Sequence, residues 1–318
     1  MGVERAGANF TQRRVKAARK HQMFDKTFTQ ISTRALSGYP PMNHTSVDLT
    51  IDIALARTIL VGFIRSEVTR AGFSKAILNL SGGVDSSLTA FLAAEALGSD
   101  NVMALRLPYQ SSSPDSLDHA QMVIDATGIH SLTIPITEMV EPLFKRFPDS
   151  SQVRRGNVMA RVRMLLLYDQ SQVFGSLPVG TGNKTEILLG YTTVYGDAAC
   201  AINPNGDLYK TQLRQLARAV GVPVAIVDKQ PTADLWVGQT DEGELGFTYA
   251  EVDQLLYLLV DQRYSPQDCI TAGFSESFVK AVLERVRRSQ FKRLMPPIAK
   301  LSNRTVGYDF LYLRDWGT

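Results

Sequence analysis

An acid and three hydroxyl groups surround a pair of glycines in the segment Ser81-Gly-Gly-Val-Asp-Ser-Ser87. The free N–H groups at the start of a helix, together with the helix dipole, favour a bound anion such as a phosphate. Asp85 would repel that phosphate unless a cation lay between them, so we predict that Asp85 is a Mg²⁺ ligand. The segment does not fit the Walker A pattern G-x-x-x-x-G-K-[ST]. A serine-capped helix that binds no ligand is the alternative.

Three further segments carry side chains that suit a nucleotide and its metal. Arg106 ends a predicted strand, where a guanidinium could meet a phosphate. In Gly180-Thr-Gly-Asn-Lys-Thr-Glu186, Thr181 could bond to the nucleotide, and Glu186 offers a second oxygen ligand for Mg²⁺. Lys210 lies in the first turn of a predicted helix, where its charge opposes the helix dipole, and a bound anion would remove that conflict. Taken singly, each of these side chains also fits a solvated surface position.

The segment Gly156-Asn-Val-Met-Ala-Arg-Val-Arg-Met164 opens a predicted helix over residues 158–173. Asn157 and Arg161 are four residues apart and share a face, and Tyr168 lies further along. Arg163 lies about 200° around the helix axis from Arg161. We therefore interpret Arg163 as solvated rather than as a second contact to the same ligand.

The segment over residues 231–246 is acidic and rich in turn-forming residues. We interpret it as a mobile cover over the site, because loops that close on a substrate have this character. Trp236 within it is expected to be exposed. A solvated loop without such a role is the alternative.

These segments must be positioned by the elements between them. Short apolar runs alternate with helical patterns over residues 76–220, and Asp48 is expected to cap a helix over residues 51–70. Such alternation predicts an α/β fold, a doubly wound parallel sheet with helices on both faces, followed by a helical C-terminal region after residue 248. In that architecture ligands bind at the carboxyl ends of the strands, and the glycine turn follows the strand predicted over residues 76–80.

Composition limits the class of protein. We expect residues 1–46 to form a basic N-terminal arm and residues 47–318 to form the catalytic domain. The net charge of +3 is too small to indicate a nucleic-acid partner, and no apolar run reaches the length of a membrane span. Cys200 and Cys269 are the two cysteines, which excludes a disulfide framework and suits a cytoplasmic protein.

Together these segments resemble the ammonia-dependent NAD⁺ synthetases, which belong to the N-type ATP pyrophosphatases. The resemblance covers roughly residues 48–315 and rests on SGGVDSS, LPYQSSS, GNVMARVRM, GTGNKTE, YGDAACAINPNGDLYKTQ, PTADLWVGQTDEGELGF and FKRLMPPIAK. It implies that ATP adenylates the nicotinate carboxylate of deamido-NAD⁺ and releases pyrophosphate, after which ammonia displaces AMP to give NAD⁺. It also implies Mg²⁺ as cofactor and a homodimer.

The resemblance and the motifs together give a set of expected site residues. The expected ATP contacts are Ser81, Gly82, Gly83, Asp85, Ser86, Ser87, Arg106, Thr181, Lys210 and Thr232. The expected deamido-NAD⁺ contacts are Asn157, Arg161, Tyr168 and Lys292. The expected metal ligands are Asp85 and Glu186, and the expected catalytic residues are Asp85, Lys210 and Asp197.

The nicotinate side of the site matches the family less closely than the ATP side. Val194 stands where many members have a lysine, Ala201 where many have an acid, and Phe291 where some have a histidine. Asp197, in Tyr195-Gly-Asp197, is the acid nearest in sequence to the second phosphate turn. We expect it to bind or deprotonate ammonium, with a loop-capping aspartate as the alternative.

Three rival functions share parts of this pattern. One is another ATP pyrophosphatase, such as a GMP synthetase core or a tRNA-thiolating enzyme. Thiolation needs catalytic cysteines, and neither cysteine of this chain stands in a C-x-x-C motif. A non-catalytic nucleotide-binding protein of the same fold is another, but both metal candidates are present. A glutamine-dependent NAD⁺ synthetase carries a fused nitrilase-like glutaminase, and residues 1–46 are too few for that domain and contain no cysteine. We therefore expect free ammonia as the nitrogen donor, with a separate glutaminase subunit left open.

Overall fold

A parallel sheet forms the centre of the computed structural model, which describes residues 47–236 and 238–309. The predicted basic arm, residues 1–46, lies outside the described residues. The strands are β1 (Ala76–Asn79), β2 (Val102–Arg106), β3 (His130–Thr133) and β4 (Leu177–Pro178), in the order β3-β2-β1-β4. The chain moves outward from β1 to β3 and then returns to the other side of β1 for β4, so the prediction of a doubly wound sheet is confirmed. The strand order reverses beside β1, which is where such sheets bind their ligands.

Helices cover both faces of this sheet. They are α1 (Ile53–Arg70), α2 (Val84–Leu97), α3 (Pro114–Thr127), α4 (Thr137–Arg146), α5 (Gln152–Phe174), α6 (Lys184–Leu189), α7 (Lys210–Val220), α8 (Val224–Val227), α9 (Asp241–Leu245), α10 (Tyr249–Leu256), α11 (Pro266–Thr271) and α12 (Glu276–Arg288). Within the described residues, none of them is both long enough and apolar enough to cross a membrane.

Two hydrophobic cores lie on opposite faces of β1. Leu78 belongs to a core that includes side chains of α1, α2, α3 and α7. Its neighbour Ile77 belongs to a second core with side chains of α4 and α5. Successive residues of a strand point to opposite faces, so a strand that is buried on both faces must be apolar throughout. This explains why residues 76–80 read as a continuous apolar run.

Two helix starts differ from those predicted. Asp48 does not cap α1; its carboxylate accepts a hydrogen bond from Thr50 N at 2.8 Å, and Asp52 is the cap, accepting from Leu55 N at 2.9 Å. Helix α5 starts six residues earlier than predicted, because Ser151 caps it by accepting from Arg154 N at 3.3 Å. The segment that begins at Gly156 therefore lies inside α5 rather than opening it.

The C-terminal region is helical, as predicted, and has a hydrophobic core of its own. Helices α10, α11 and α12 supply most of that core, and a π-helical turn over Tyr257–Asp261 extends α10. Leu189 at the end of α6 and Tyr209 at the start of α7 also belong to it. The helical region is thereby packed directly against the two helices that follow β4.

Candidate active site

The glycine turn lies between β1 and α2, at the carboxyl end of the central strand. Gly82 has a φ of +79°, and a Cβ atom at this position would lie 2.2 Å from the backbone oxygen of Ser116. Only glycine meets both conditions. Ser81 Oγ accepts from Gly83 N at 3.2 Å, and Ser86 Oγ donates to Gly83 O at 3.1 Å. The turn therefore has a defined shape, with the start of α2 directed at the site.

Ser86 and Ser87 are both buried, and the hydroxyl group of each donates to Gly83 O, from Ser87 Oγ at 2.8 Å. For both residues this geometry fits a role in shaping the turn better than the expected contact with ATP. Ser81 is exposed and is open to a ligand.

Lys210 joins the two acids that were expected to bind the metal. Its Nζ donates to Asp85 Oδ2 at 2.5 Å and to Glu186 Oε1 at 3.2 Å. The lysine side chain is only 3% exposed. The three residues begin or nearly begin α7, α2 and α6, so the site lies where the starts of three helices meet. These carboxylates offset the conflict between Lys210 and the dipole of α7, an effect that we had predicted for a bound anion.

The cluster contains more acidic than basic side chains. The pKa of Glu186 is raised from 4.5 to about 8. Burial is the largest cause, the nearby Asp85 and Asp241 also raise the pKa, and Lys210 lowers it. Burial also disfavours the charged form of Lys210, but Asp85 and Glu186 outweigh that effect and hold the pKa of Lys210 above its usual value. The ammonium therefore stays charged, and a further cation would stabilise the ionised form of Glu186.

The donor set fits Mg²⁺. Asp85 and Glu186 converge on one cation already, and Mg²⁺ takes one or two carboxylates together with water and phosphate oxygens. Over residues 47–236 and 238–309, no group of three or more His, Cys, Asp and Glu side chains could hold a metal by itself. Two carboxylates would leave the remaining positions around such an ion to water and phosphate oxygens.

Two asparagines that we did not predict as site residues hold the turns together. Asn183 Nδ2 donates to Asp85 Oδ1 at 2.7 Å, while its Oδ1 accepts from Glu186 N at 3.0 Å. Asn205 Nδ2 lies 3.1 Å from Asp85 O and 3.3 Å from Thr181 O. The spacing of Asn183 and Glu186 is that of a capping box and could have been recognised in the sequence. The contact between Asn205 and the first turn spans 120 residues and leaves no such signal.

The remaining expected ATP contacts lie outside this cluster. Arg106 Nη1 donates to Gln121 at 2.7 Å, whereas its buried Nε has no hydrogen-bond partner in the described part of the chain. Thr181 is half-buried, and Thr232 Oγ1 accepts from Asp234 N at 3.1 Å. Neither Arg106 nor Thr232 forms a hydrogen bond or ion pair with Lys210, so their roles in binding ATP stay predictions.

Three of the expected deamido-NAD⁺ contacts converge on the loop over residues 190–197. Thr193 Oγ1 donates to Asn157 Oδ1 at 2.8 Å, and Arg161 Nη2 donates to the backbone oxygen of Val194 at 3.3 Å. Lys292 Nζ donates to the backbone oxygens of Gly190 and Thr192, each at 2.7 Å.

Tyr168, the fourth expected contact, lies further along α5 and is exposed, although partial burial raises its pKa. Val194 contributes its backbone to the bond with Arg161, and Ala201 N donates to Pro178 O at 2.9 Å. Neither residue brings a charged side chain to this side of the site.

Asp197 belongs to the same loop. Its Oδ1 accepts from Thr193 N at 2.7 Å, which is the loop-capping bond that we gave as the alternative. The residue is exposed at the surface, yet neighbouring protein atoms raise the pKa of its carboxyl group by desolvation. The structure thus shows the capping bond, and a role toward ammonium stays a prediction.

The interpretation of Arg163 as solvated was wrong. The side chain is half-buried, and its Nε donates to the backbone oxygen of Leu107 at 3.0 Å, just past the end of β2. Burial lowers the pKa of this guanidinium, while Asp234 and Asp197 raise it. Helix α5 packs on the sheet with Arg163 turned toward the strand ends, a placement that the helical angle from Arg161 did not reveal.

The segment over residues 231–246 packs beside the start of α3 and on α5, and its role as a mobile cover stays a prediction. Both carboxylate oxygens of Asp234 accept from Ser113 N, at 3.2 and 3.1 Å, in front of α3. A Cβ atom at Gly156 would lie 2.8 Å from Leu235 Cδ1 and 3.5 Å from the Trp236 ring, so the segment also rests on α5. Trp236 is half-buried, contrary to the exposure we expected.

With this geometry established, known proteins identify the family. A family model described as NAD synthase matches residues 57–296. The chain belongs to the NAD synthase family. A relative from Trichlorobacter lovleyi, named NH(3)-dependent NAD(+) synthetase, is 54% identical over 269 residues, covering 85% of this chain and 98% of the relative. The predicted family, and with it the class of C–N bond-forming ligase, is confirmed.

Solved structures of NAD synthase relatives agree with the fold. An NH3-dependent NAD synthetase from Campylobacter jejuni, solved with a nitrate ion, has a TM-score of 0.68 at 32% identity, covering 79% of this chain and 100% of that one. An NMN synthetase from Francisella tularensis has a TM-score of 0.71 at 30% identity, with the same coverage. The doubly wound architecture is thus that of the family.

Proposed function

We propose that the chain converts deamido-NAD⁺ to NAD⁺, using ATP to activate the nicotinate carboxylate and ammonia as the nitrogen donor. Family membership and the name of the Trichlorobacter lovleyi relative support this reaction. The observation that carries it is the convergence of Lys210, Asp85 and Glu186 at the starts of three helices, beside the glycine turn. Such a site suits the pyrophosphate half of ATP, because N–H groups, a lysine and metal-binding carboxylates meet there.

In the adenylation step, the protein must stabilise the charge that develops on the leaving pyrophosphate. The glycine turn holds the phosphates, and the ammonium of Lys210 is fixed in place to meet the growing charge. Asn183 and Asn205 keep the two phosphate turns in register, so little reorganisation is needed during the reaction. Asp85 and Glu186 would hold Mg²⁺, which supplies further charge neutralisation at the phosphate oxygens when it is bound.

In the second step, a nitrogen nucleophile displaces AMP from the activated carboxylate. The nucleophile is neutral NH₃, because NH₄⁺ has no lone pair. We propose that Asp197 binds ammonium or takes its proton, and the desolvation that raises the pKa of its carboxyl group makes the carboxylate a stronger base. The loop over residues 190–197, together with Asn157, Arg161 and Lys292, is the proposed binding surface for deamido-NAD⁺, with Tyr168 at its outer end.

We also propose that the protein acts as a cytoplasmic homodimer. Helix α4 exposes Met139 and Leu143, and Phe147 follows directly after it. On α5, Val153 and Leu165 are exposed as well. Helices α4 and α5 pack against each other, and exposed apolar side chains on adjoining helices can form a protein contact surface. The thiols of Cys200 and Cys269 are both free, which suits a reducing compartment.

A mononucleotide substrate is the second candidate. The relative from Francisella tularensis is named an NMN synthetase and superposes with a TM-score of 0.71. In this chain, Val194 and Ala201 bring no charge to the side of the site where a dinucleotide would extend. The acid form of the mononucleotide is therefore a necessary arm of the activity test.

The test is an assay of purified protein with ATP, Mg²⁺ and either deamido-NAD⁺ or nicotinate mononucleotide. We expect deamido-NAD⁺ and ammonium to give NAD⁺, AMP and pyrophosphate in equal amounts, with glutamine alone giving none. Pyrophosphate release that depends on neither deamido-NAD⁺ nor nicotinate mononucleotide would indicate another ATP pyrophosphatase. Efficient turnover with glutamine alone would contradict the ammonia-dependent reaction.

A further inference from the structure

A buried carboxylate from the C-terminal helical region reaches the two helices that carry Lys210 and Glu186. Asp253 lies on α10 and is completely buried. Its Oδ1 accepts from Thr185 Oγ1 at 2.5 Å, and its Oδ2 accepts from Thr211 N at 2.8 Å. Over residues 47–236 and 238–309 it makes no ion pair. A buried charge of this kind persists only where it is fully hydrogen-bonded.

The bonds of Asp253 continue to the backbone of Lys210. Thr185 Oγ1, which donates to Asp253, also accepts from Lys210 N at 3.0 Å. The first two N–H groups of α7 are thus satisfied by one carboxylate, directly at Thr211 and through Thr185 at Lys210. Thr185 directly precedes Glu186 in the chain. One side chain therefore fixes the backbone beside both residues that flank the proposed phosphate site.

We propose that Asp253 is a positioning residue for adenylation, which sets Lys210 and Glu186 relative to one another through Thr185. The inference rests on the proposed function, because it assigns Asp253 to the first of its two steps. Asp253 also places negative charge at the start of α7, where it offsets the unfavourable position of Lys210 in the first helical turn.

An asparagine cannot replace this carboxylate fully, although its shape is nearly the same. Its single oxygen can accept from Thr211 N, but its amide group then donates to Thr185 Oγ1. The hydroxyl proton of Thr185 loses its acceptor, and rotation of the hydroxyl weakens its bond to Lys210 N. The expected result is a small displacement of Lys210 and Glu186 in a protein that remains folded.

The experiment separates the two half-reactions in rapid-quench measurements. Adenylate and pyrophosphate are measured first without ammonium, and NAD⁺ is measured after a chase with ammonium. We expect Asp253→Asn and Thr185→Val to slow adenylation about 10- to 100-fold, because small displacements near reacting groups cost up to about that much. The chase should proceed within about twofold of the unmodified rate, since the second step does not use the pyrophosphate contacts. The Thr185→Ser variant keeps the hydroxyl group, so it should form adenylate at close to the rate of the unmodified protein.

The matched control is Val282→Ala, at a completely buried position of α12 in the same helical core. It removes packing from that core without touching the bonds of Asp253. We expect it to lower the melting temperature and to leave the adenylation rate near that of the unmodified protein. A positioning role and a purely structural one are separated by this comparison.

Three results would overturn the inference alone. They are normal adenylation in a folded Asp253→Asn or Thr185→Val protein, an equal loss in both half-reactions, or a loss in Val282→Ala that matches the loss in Asp253→Asn. If Asp253→Asn does not fold, the two Thr185 variants carry the test. An unmodified protein that forms no adenylate would instead overturn the proposed function, and this inference with it.

Discussion

Replacing Glu186 by glutamine should stabilise the metal-free protein at high pH while it abolishes activity. In the folded protein the pKa of Glu186 is raised from 4.5 to about 8 by burial and by nearby acids. An acid whose pKa is raised on folding binds its proton more tightly in the folded state, so its ionisation costs stability as the pH rises. That cost is absent below about pH 4.5, grows between the two values and is complete above about pH 8.

The size of the effect follows from the same shift. At about 1.4 kcal/mol per pKa unit, a rise from 4.5 to about 8 corresponds to an upper limit of roughly 5 kcal/mol. Glutamine carries no charge at any pH and keeps an oxygen that can accept from Lys210. The net shift already includes the attraction of Lys210, but an amide fits the bonds of a carboxyl group imperfectly, so we expect a net gain below the limit, on the order of 2 kcal/mol at pH 9.

The assay is urea unfolding in EDTA at pH 5 and pH 9, with the Glu186→Gln and unmodified proteins compared at each pH. Glu138→Gln, at an exposed position of α4, is the control for a general effect of removing one negative charge. A Glu186→Gln protein that is less stable than the unmodified one at pH 9, or a difference equal at both pH values, would refute the reasoning. Pyrophosphate release near the normal rate in this variant would remove Glu186 from the proposed metal site.

Four other outcomes are expected. Asp85→Ala should abolish pyrophosphate release while the fold is kept, as judged by circular dichroism, because Lys210 and the proposed metal both lose a carboxylate. Gly82→Ala should lower ATP affinity and thermal stability, since its Cβ would lie 2.2 Å from Ser116 O at a φ of +79°. Removal of residues 1–40 should leave adenylation and dimerisation unchanged; a truncated protein that folds but forms no adenylate would refute this. Asp197→Asn should slow the reaction of preformed adenylate with ammonium in single-turnover measurements, and an unchanged rate at every ammonium concentration would exclude it from the mechanism.

The sheet was predictable because its signals are local. Apolar runs that end in turn residues, such as the one over residues 76–80, are typical of strands buried on both faces, and the structure has β1 there. The prediction of helix ends was less secure where it depended on a single capping residue, because Asp48 and Asp52 carry the same carboxylate four residues apart. The structure selects Asp52, whose carboxylate accepts from Leu55 N.

The members of the acid cluster were predictable from motifs, whereas their connections were not. Asp85, Glu186 and Lys210 each stand in a recognisable segment, and the structure brings them together at 2.5 and 3.2 Å. The side chains that hold those segments in register, Asn205 and Asp253, act across 120 and 68 residues. No spacing rule covers such distances. A polar side chain in an ordinary helix or loop gives no sign in the sequence that it is fully buried.

The position of Lys210 shows how a functional site can override the residue preferences of a helix start. A lysine in the first turn of a helix opposes the dipole, and local propensity alone would place an acid there. The structure supplies acids from elsewhere: Asp85 and Glu186 contact the ammonium, and Asp253 accepts from the N–H group of Thr211. With more acids than lysines in the cluster, the pKa of Glu186 stays raised, so its carboxyl group holds a proton near neutral pH more readily than an ordinary glutamate does. A metal ion bound together with the phosphates would replace that proton. The acids that surround Lys210 are thus the reason that we propose a metal-bound polyphosphate, rather than a phosphate alone, as the ligand of this cluster.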